Sequence, residues 1–390
     1  MRLNNKDTSN RVADAKAANT NRINSGTFEN GIVNQGSSIE TQNIYNNYGI
    51  KDSNKSEKDD IGFVITEGAD ITPTPYFTGR EKELKDLREH IYSMNKLVLV
   101  SGIGGIGKTH LCRYLYREYI KSYNAGRETE IDHIGYLNYY GSMDDTLANG
   151  LKFNKSGNSE EDVASAWCRL EDLANSTRLL VIVDNVTHGM DKDESIKKLY
   201  NLTCAVVLTS RLSGFERFKT LPIGVLPLDE CRDIFDEIYG DIDASEQTDL
   251  DYILSDLAAM HTKTVELLAS IAHDKGWKVT RLRQELMAKR FNLTFTSEGN
   301  ETTLQTEYEK LFDLSGLTEK EVNVLEAFSI MPPLPITTEI CNSFFNEDAG
   351  LTEGNEIFNT LHRKGCCSVM QTAFQCTRLL LKPYSINNGL

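Results

Sequence analysis

The sequence predicts an α/β fold: a parallel sheet wrapped by helices, then a helical segment, then a closing segment of helices and a short hairpin. Three observations predict it. Residues 97–100, 179–183 and 205–208 are short, continuous, largely β-branched runs bounded by polar residues, the texture of strands buried on both faces. Amphipathic stretches with apolar residues three and four apart separate these runs. From Leu226 onward helical periodicity takes over.

The stretch that organises the rest is residues 96–109, KLVLVSGIGGIGKT. The strand runs into Gly102, Ile103, Gly104, Gly105, Ile106, Gly107, Lys108 and Thr109, which satisfy G-x-x-x-x-G-K-[ST]. A helical pattern of Leu111, Tyr114, Leu115 and Tyr119 follows at once. Strand, glycine loop and helix in that order is the context that gives the motif meaning. Glycines let the backbone curl until successive N–H groups point inward at a phosphate chain, and the positive end of the following helix adds to the attraction. Lys108 is then expected at the β- and γ-phosphates, Thr109 at Mg²⁺, and His110 at the nucleotide from the first helical turn.

Upstream, Pro73 and Pro75 stiffen an extended entry. Tyr76, Phe77, Thr78, Gly79 and Arg80 lead into a helix expected to start at Thr78 or Gly79, with Leu84, Leu87 and Ile91 on one face. Downstream, residues 131–140 read as a second strand and 162–173 as a helix. Residues 177–185 form another strand, ending in Asp184. A carboxylate at the carboxyl end of a central strand beside the glycine loop is where a Mg²⁺ ligand belongs, directly or through water. Residues 205–211, AVVLTSR, end in two hydroxyls and Arg211. Strand ends of such a sheet gather where the ligand lies, which brings Arg211 within reach of a γ-phosphate; a surface ion pair is its competing reading. Residues 230–292 read as a helical bundle and 292–301 as a polar loop. Residues 302–314, 318–331 and 355–364 read as helices, and 366–370 with 374–381 as a hairpin, together the profile of a winged helix. The expected divisions are a tail and linker at 1–60, a nucleotide-binding domain at 61–224, a helical domain at 225–300 and a winged-helix domain at 301–390.

Composition bounds the function. The net charge of -15 argues against a general nucleic-acid or anionic-membrane surface. No apolar run is long enough to span a bilayer, and the Asn-rich N-terminus has no apolar signal core, so a cytoplasmic location is expected. None of the 8 cysteines forms a C-x-x-C pair, and reduced core thiols are the expectation. In the polar tail, Ile23, Phe28, Val33, Ile39 and Ile44 recur among Asn, Gly, Gln and Ser. That rhythm suits stacked β-arcs with amide ladders, against the plainer alternative of a disordered tail. A peptide of residues 20–50 that stays random coil at high concentration rules stacking out.

Together these stretches resemble the STAND class of P-loop NTPases, in its NB-ARC, NLR-like branch. The matching segments are YFTGREKEL at the entry, VSGIGGIGKT at the glycine loop, LLVIVDN at the acidic strand, VVLTSR at the arginine strand, and LPLDECRDIF with LAAMHTKTVELLASIA in the helical part. The resemblance implies a switch that holds ADP between its lobes, exchanges it for ATP with Mg²⁺, opens and assembles into a homo-oligomer. It implies that Lys108 and Thr109 bind phosphate and Mg²⁺, Asp184 supports Mg²⁺, Arg211 senses the γ-phosphate, and Phe77, Gly79 and Arg80 lie near adenine and ribose. The tail resembles amyloid-type signalling motifs, which implies an effector recruited through residues 20–50 in bacterial defence or cell death.

The chain departs from the pattern in three places. Asn185 stands where many members have a second acid, and an amide cannot take a proton from attacking water, so slow hydrolysis is expected. The proline of the base-contacting helical motif is absent from MHTKTVEL. The winged-helix histidine has Thr377 as its nearest match. His261 is expected to pack between helices rather than catalyse. No internal repeat is visible, so sensing is expected from a segment outside this sequence or from another chain. Two other classes compete: a regulator binding DNA through the winged helix, for which residues 304–381 are not conspicuously basic, and a metabolic ATPase, for which no second substrate pocket is evident.

Overall fold

The computed structural model describes residues 62–93, 96–127, 130–212, 214–289, 292–297, 300–304 and 306–307. Beyond these it describes only residues 318, 321, 336–337, 357, 360–361, 367–370 and 373–376. All belong to one compact unit, Asn54–Leu390. The expected tail at 1–60, Thr377 and most of the expected winged helix lie outside the described residues.

Five strands form one parallel sheet: β1 (Leu97–Ser101), β2 (His133–Asn138), β3 (Leu179–Val186), β4 (Ala205–Ser210) and β5 (Lys219–Pro222), in the order β2-β3-β4-β1-β5. Their continuous apolar runs follow from burial on both faces. Val98, Val100, Leu180, Ile182 and Val207 point to one side, where helices α1 (Glu81–Tyr92) and α2 (Lys108–Asn124) supply Leu87, Leu111, Leu115 and Tyr116. Leu99, Val181, Val183, Val206 and Leu208 point to the other side. There helices α3 (Met143–Gly150) and α4 (Ser159–Ser176) and a 3₁₀ turn (Glu194–Asn201) cover them with Met143, Trp167, Leu170 and Ile196. The entry chain extends the sheet beyond β2: the Ile65 N–H donates to Ile134 O at 3.0 Å and the Ile134 N–H to Phe63 O at 2.8 Å. An otherwise open strand edge is thereby paired.

The first helix begins at Glu81, two to three residues later than the sequence suggested. Gly79 adopts φ +66°, outside helical space, and the Thr78 hydroxyl is engaged by Glu230. Helix α3 and β5 were not anticipated. The first is short and rests on its cap, Ser142, whose Oγ accepts from the Asp145 N–H at 3.0 Å. The second buries only Leu221 of its four residues.

After β5, Leu226 joins a separate helical core. Helices α5 (Leu228–Tyr239), α6 (Gln247–Tyr252), α7 (Thr262–Asp274) and α8 (Val279–Lys289) meet around Phe235, Leu254, Val265, Leu268 and Leu282. Between α6 and α7 a π turn (Ile253–Leu257) leads to Ala259 and Met260, both left-handed at φ 49° and 56°. Two successive non-glycine residues there reverse the chain and set His261 at the start of α7.

One expectation is corrected. Where a polar loop and the start of a helix were expected, Thr294–Ser297 and Asn300–Thr303 are strands. β6 (Thr294–Ser297) pairs antiparallel with β7 (Asn300–Thr303). The threonine-rich stretch favours strands, and Phe295, 6% exposed, anchors the hairpin in the helical core. Further on, β8 (Ile336–Thr337), β9 (Cys367–Met370) and β10 (Ala373–Cys376) form an antiparallel sheet in the order β8-β10-β9. The expected strand at 374–381 is described only to Cys376. Of the expected helices at 318–331 and 355–364 only scattered residues are described. Among the described cysteines, Cys112, Cys204 and Cys231 are free and buried, whereas Cys168 is exposed. No helix among the described residues is long and apolar enough to cross a membrane.

Candidate nucleotide-binding site

The glycine loop leaves the carboxyl end of β1 and enters α2 through Gly107, which caps the helix at φ +105°. That left-handed value is open to glycine at little cost. Ile106, 1% exposed, pins the loop to the core. The Lys108 ammonium turns back over the loop and donates to Gly102 O and Ile103 O, both at 2.8 Å. Burial pushes the Lys108 pKa down to about 8; the Arg211 charge adds to that, and Asp184 opposes it.

Asp184 ends the straight part of β3, 4% exposed. Its Oδ1 accepts from the Thr109 hydroxyl at 2.9 Å and from the Thr209 hydroxyl. The Asn185 N–H in turn donates to Thr209 Oγ1 at 2.8 Å. Asn185 adopts φ 61°, and the β3–β4 register shifts between Val183 and Val186, so the chain bulges just after the carboxylate. Arg211 follows β4, half-buried. Behind Asp184 lies Tyr136, whose buried hydroxyl has no hydrogen-bond partner among the described residues. Burial and the Asp184 charge hold that phenol well above its usual range.

These groups fit Mg²⁺. The ion takes hard oxygens and keeps several waters, and it is held by one or two protein ligands plus phosphates. The Thr109 hydroxyl and Asp184 carboxylate supply such oxygens side by side. Among the described residues no three His, Cys, Asp or Glu side chains cluster as an all-protein metal site.

A shallow, open cleft lies beside the loop. Three stretches line it: Thr74, Tyr76, Phe77, Thr78 and Arg80 from the entry, Ile106, Gly107 and His110 from the loop and α2, and Leu226, Ile234, Thr262 and Glu266 from the helical segment. Phe77 stacks on Tyr114 at 4.4 Å. His110 Nδ1 accepts from the Thr74 N–H at 3.1 Å, and burial lowers the His110 pKa. The Thr74 hydroxyl is buried without a partner among the described residues. Glu266, 8% exposed, pairs with Lys263 at 3.1 Å.

The structure thus gathers Lys108, Thr109, Asp184 and Arg211 at the sheet's carboxyl edge, with Phe77, Arg80 and His110 at the adjoining cleft. Gly79 does not line the cleft; a Cβ there would lie 2.7 Å from Glu230 Cγ. The Arg80 guanidinium faces backbone, donating to Ile106 O at 3.1 Å and Gly224 O at 2.8 Å. Sequence reasoning gave no role to Thr209, Tyr136, Thr262 or Glu266. The four-residue spacing of Thr262 and Glu266, which sets both on one helical face, was the available signal. His261 is fully buried at the start of α7, and its Nε2 donates to Gly104 O at 2.7 Å.

No family model and no curated protein matches the sequence. Solved structures match the fold. The fold is similar to that of a Walker-type ATPase of Pyrococcus abyssi, with a TM-score of 0.50 and 13% identity over 80% of this chain and 97% of that one. Weaker likenesses, on which nothing further rests, are two. The RuvB Holliday junction branch migration motor of Thermotoga maritima gives a TM-score of 0.35 and 13% identity, covering 78% of this chain and 93% of that one. A signal transduction ATPase with numerous domains and a tetratricopeptide repeat sensor, from Pyrococcus horikoshii, gives 0.34 and 16%, with this chain spanning 79% of its own length and 42% of the other. The parallel sheet, its glycine loop and the first likeness define a P-loop fold.

Proposed function

We propose that the chain is an adenine-nucleotide-gated switch of the STAND class, NB-ARC branch, that assembles into a homo-oligomer when ATP replaces ADP and acts in bacterial defence or cell-death signalling. One observation carries the reading. The cleft is lined by the entry, the glycine loop and the helical segment together, so one ligand touches elements on both sides. Binding energy there reports occupancy from one core to the other.

In this reading the loop N–H groups and Lys108 hold the phosphates, and Arg211 approaches the terminal one. Phe77 and Tyr76 give the base apolar cover, and His110 and Thr262 flank the ribose side. The Thr109 hydroxyl and the Asp184 carboxylate hold Mg²⁺, which supplies neutralisation of phosphate charge. Thr209 keeps Asp184 aimed. Asn185 offers no carboxylate for a water proton, which makes hydrolysis slow and suits a timed switch. The tail at residues 20–50 recruits the effector, and the chain works in the cytoplasm without nucleic acid.

Sedimentation tests this. Protein loaded with ADP is expected as a monomer, and exchange for ATP with Mg²⁺ shifts it to a larger species. Identical profiles in both nucleotides would refute the switch.

Affinity is also expected to follow pH. The free Lys108 has its pKa lowered to about 8, and phosphate restores its charge, raising that value. Binding therefore takes up a proton above pH 8. The ADP affinity stays level below about pH 7 and falls by about tenfold per unit as pH climbs through the free-state pKa. A titration series that is flat up to pH 9.5 contradicts the lysine–phosphate contact.

A further inference from the structure

In the glycine loop Gly102 O and Ile103 O accept from the Lys108 ammonium, and the next three carbonyls are left to other donors. Carbonyls of a surface loop ordinarily meet water. Here three in succession meet the start of α7. The buried His261 ring donates from Nε2 to Gly104 O at 2.7 Å. The Lys263 N–H donates to Gly105 O at 3.1 Å. The Thr262 hydroxyl donates to Ile106 O at 3.3 Å.

The fit is close enough to dictate a glycine for a second reason. A Cβ on Gly105 would lie 2.7 Å from Lys263 Cβ and 2.9 Å from His261 Cε1, and the residue's φ is +72°. Gly105 is therefore required by the helix outside the loop as well as by any phosphate inside it. The bonding also sets the ring's tautomer. Gly104 O can only accept, so Nε2 carries the hydrogen, and Nδ1 accepts from the Thr264 hydroxyl at 2.9 Å. Burial lowers the His261 pKa to about 4, so the ring stays neutral near pH 7. The left-handed pair Ala259 and Met260 holds the backbone reversal that delivers His261 to this place.

We infer that His261, Thr262 and Lys263 clamp the carbonyl face of the glycine loop, with His261 as a positioning residue that fixes the inward N–H groups and ties the helical bundle to the loop's occupancy. The inference rests on the nucleotide reading above. A ligand that orders the N–H side also orders the carbonyl side, and α7 is the element of the bundle that receives it. By linkage, a bundle that keeps the clamp closed slows release of the ligand.

The test uses the full chain and a fluorescent ADP with Mg²⁺. His261→Leu keeps the volume and removes the donor; His261→Gln restores an N–H at similar reach. The Leu variant is expected to release ADP about tenfold faster, the worth of one buried hydrogen bond. The Gln variant stays within about threefold of the parent, a rescue that a purely packing role does not give. Hydrogen exchange over residues 259–266 gives a second readout on the unaltered protein: ADP slows exchange at the Lys263 amide. Release from His261→Leu at the parental rate, a Gln variant as impaired as Leu, or a Lys263 amide indifferent to ADP overturns the clamp. If His261→Leu does not fold, Thr262→Val and the exchange measurement decide. A parental chain that binds neither ADP nor ATP is a different outcome, which refutes the nucleotide reading itself and the clamp's coupling role with it.

Discussion

Lys108→Ala is expected to weaken ADP and ATP binding by about a hundredfold or more, the loss of a charge-assisted contact to phosphate inside a partly dry site. The fold is expected to survive. The Lys108 side chain is buried with its pKa pushed down to about 8, which means that the folded chain holds this charge at a disadvantage relative to water. Removing it relieves that disadvantage. The carbonyls it leaves, Gly102 O and Ile103 O, belong to partly buried residues that water can reach. Calorimetric titration with ADP measures the first effect and a thermal melt without nucleotide the second. Binding within threefold of the parent would mean that the loop is a structural turn and that phosphate binds elsewhere or not at all. Loss of the cooperative melt would instead make Lys108 a folding residue.

The parts of this architecture that could be read from the chain were those where one local rule acts alone. The strands carry continuous apolar runs at 97–100, 179–183 and 205–208 because both their faces are covered, and no polar position interrupts the signal there. The glycine loop was legible because its spacing is fixed by the backbone path around a phosphate. What escaped depended on contacts distant in sequence. His261 lies 157 residues from the Gly104 carbonyl it meets, and nothing in MHTKTVEL encodes that carbonyl. Thr209 was noticed only as a hydroxyl at a strand end; its role follows from β3 and β4 being neighbours. The hairpin of β6 and β7 was missed because its polar threonines read as loop until Phe295 is seen to enter the helical core.

Arg80 is where sequence and structure part most usefully, and it carries the second large effect. The entry motif places it near the nucleotide, and it does line the cleft. The residue, however, is only 4% exposed, and its guanidinium spends its donors on protein: Ile106 O, Gly224 O and the Glu83 carboxylate at 2.8 Å. It ties the glycine loop to the segment that leads from β5 into the helical core. Arg80→Met is therefore expected to destabilise the nucleotide-free chain by about 2 kcal/mol, because the buried Ile106 carbonyl, the part-buried Gly224 carbonyl and the Glu83 carboxylate lose a charged donor at once. Arg80→Lys is not expected to rescue it, since a single ammonium cannot span donors that a planar fork reaches in different directions. Denaturant unfolding without nucleotide separates this from a ligand contact. A variant that unfolds at the parental midpoint but has lost ADP affinity would make Arg80 a nucleotide ligand. A lowered midpoint, with an ADP affinity that weakens only as far as the Ile106 end of the loop loosens, makes it the strut that the geometry describes.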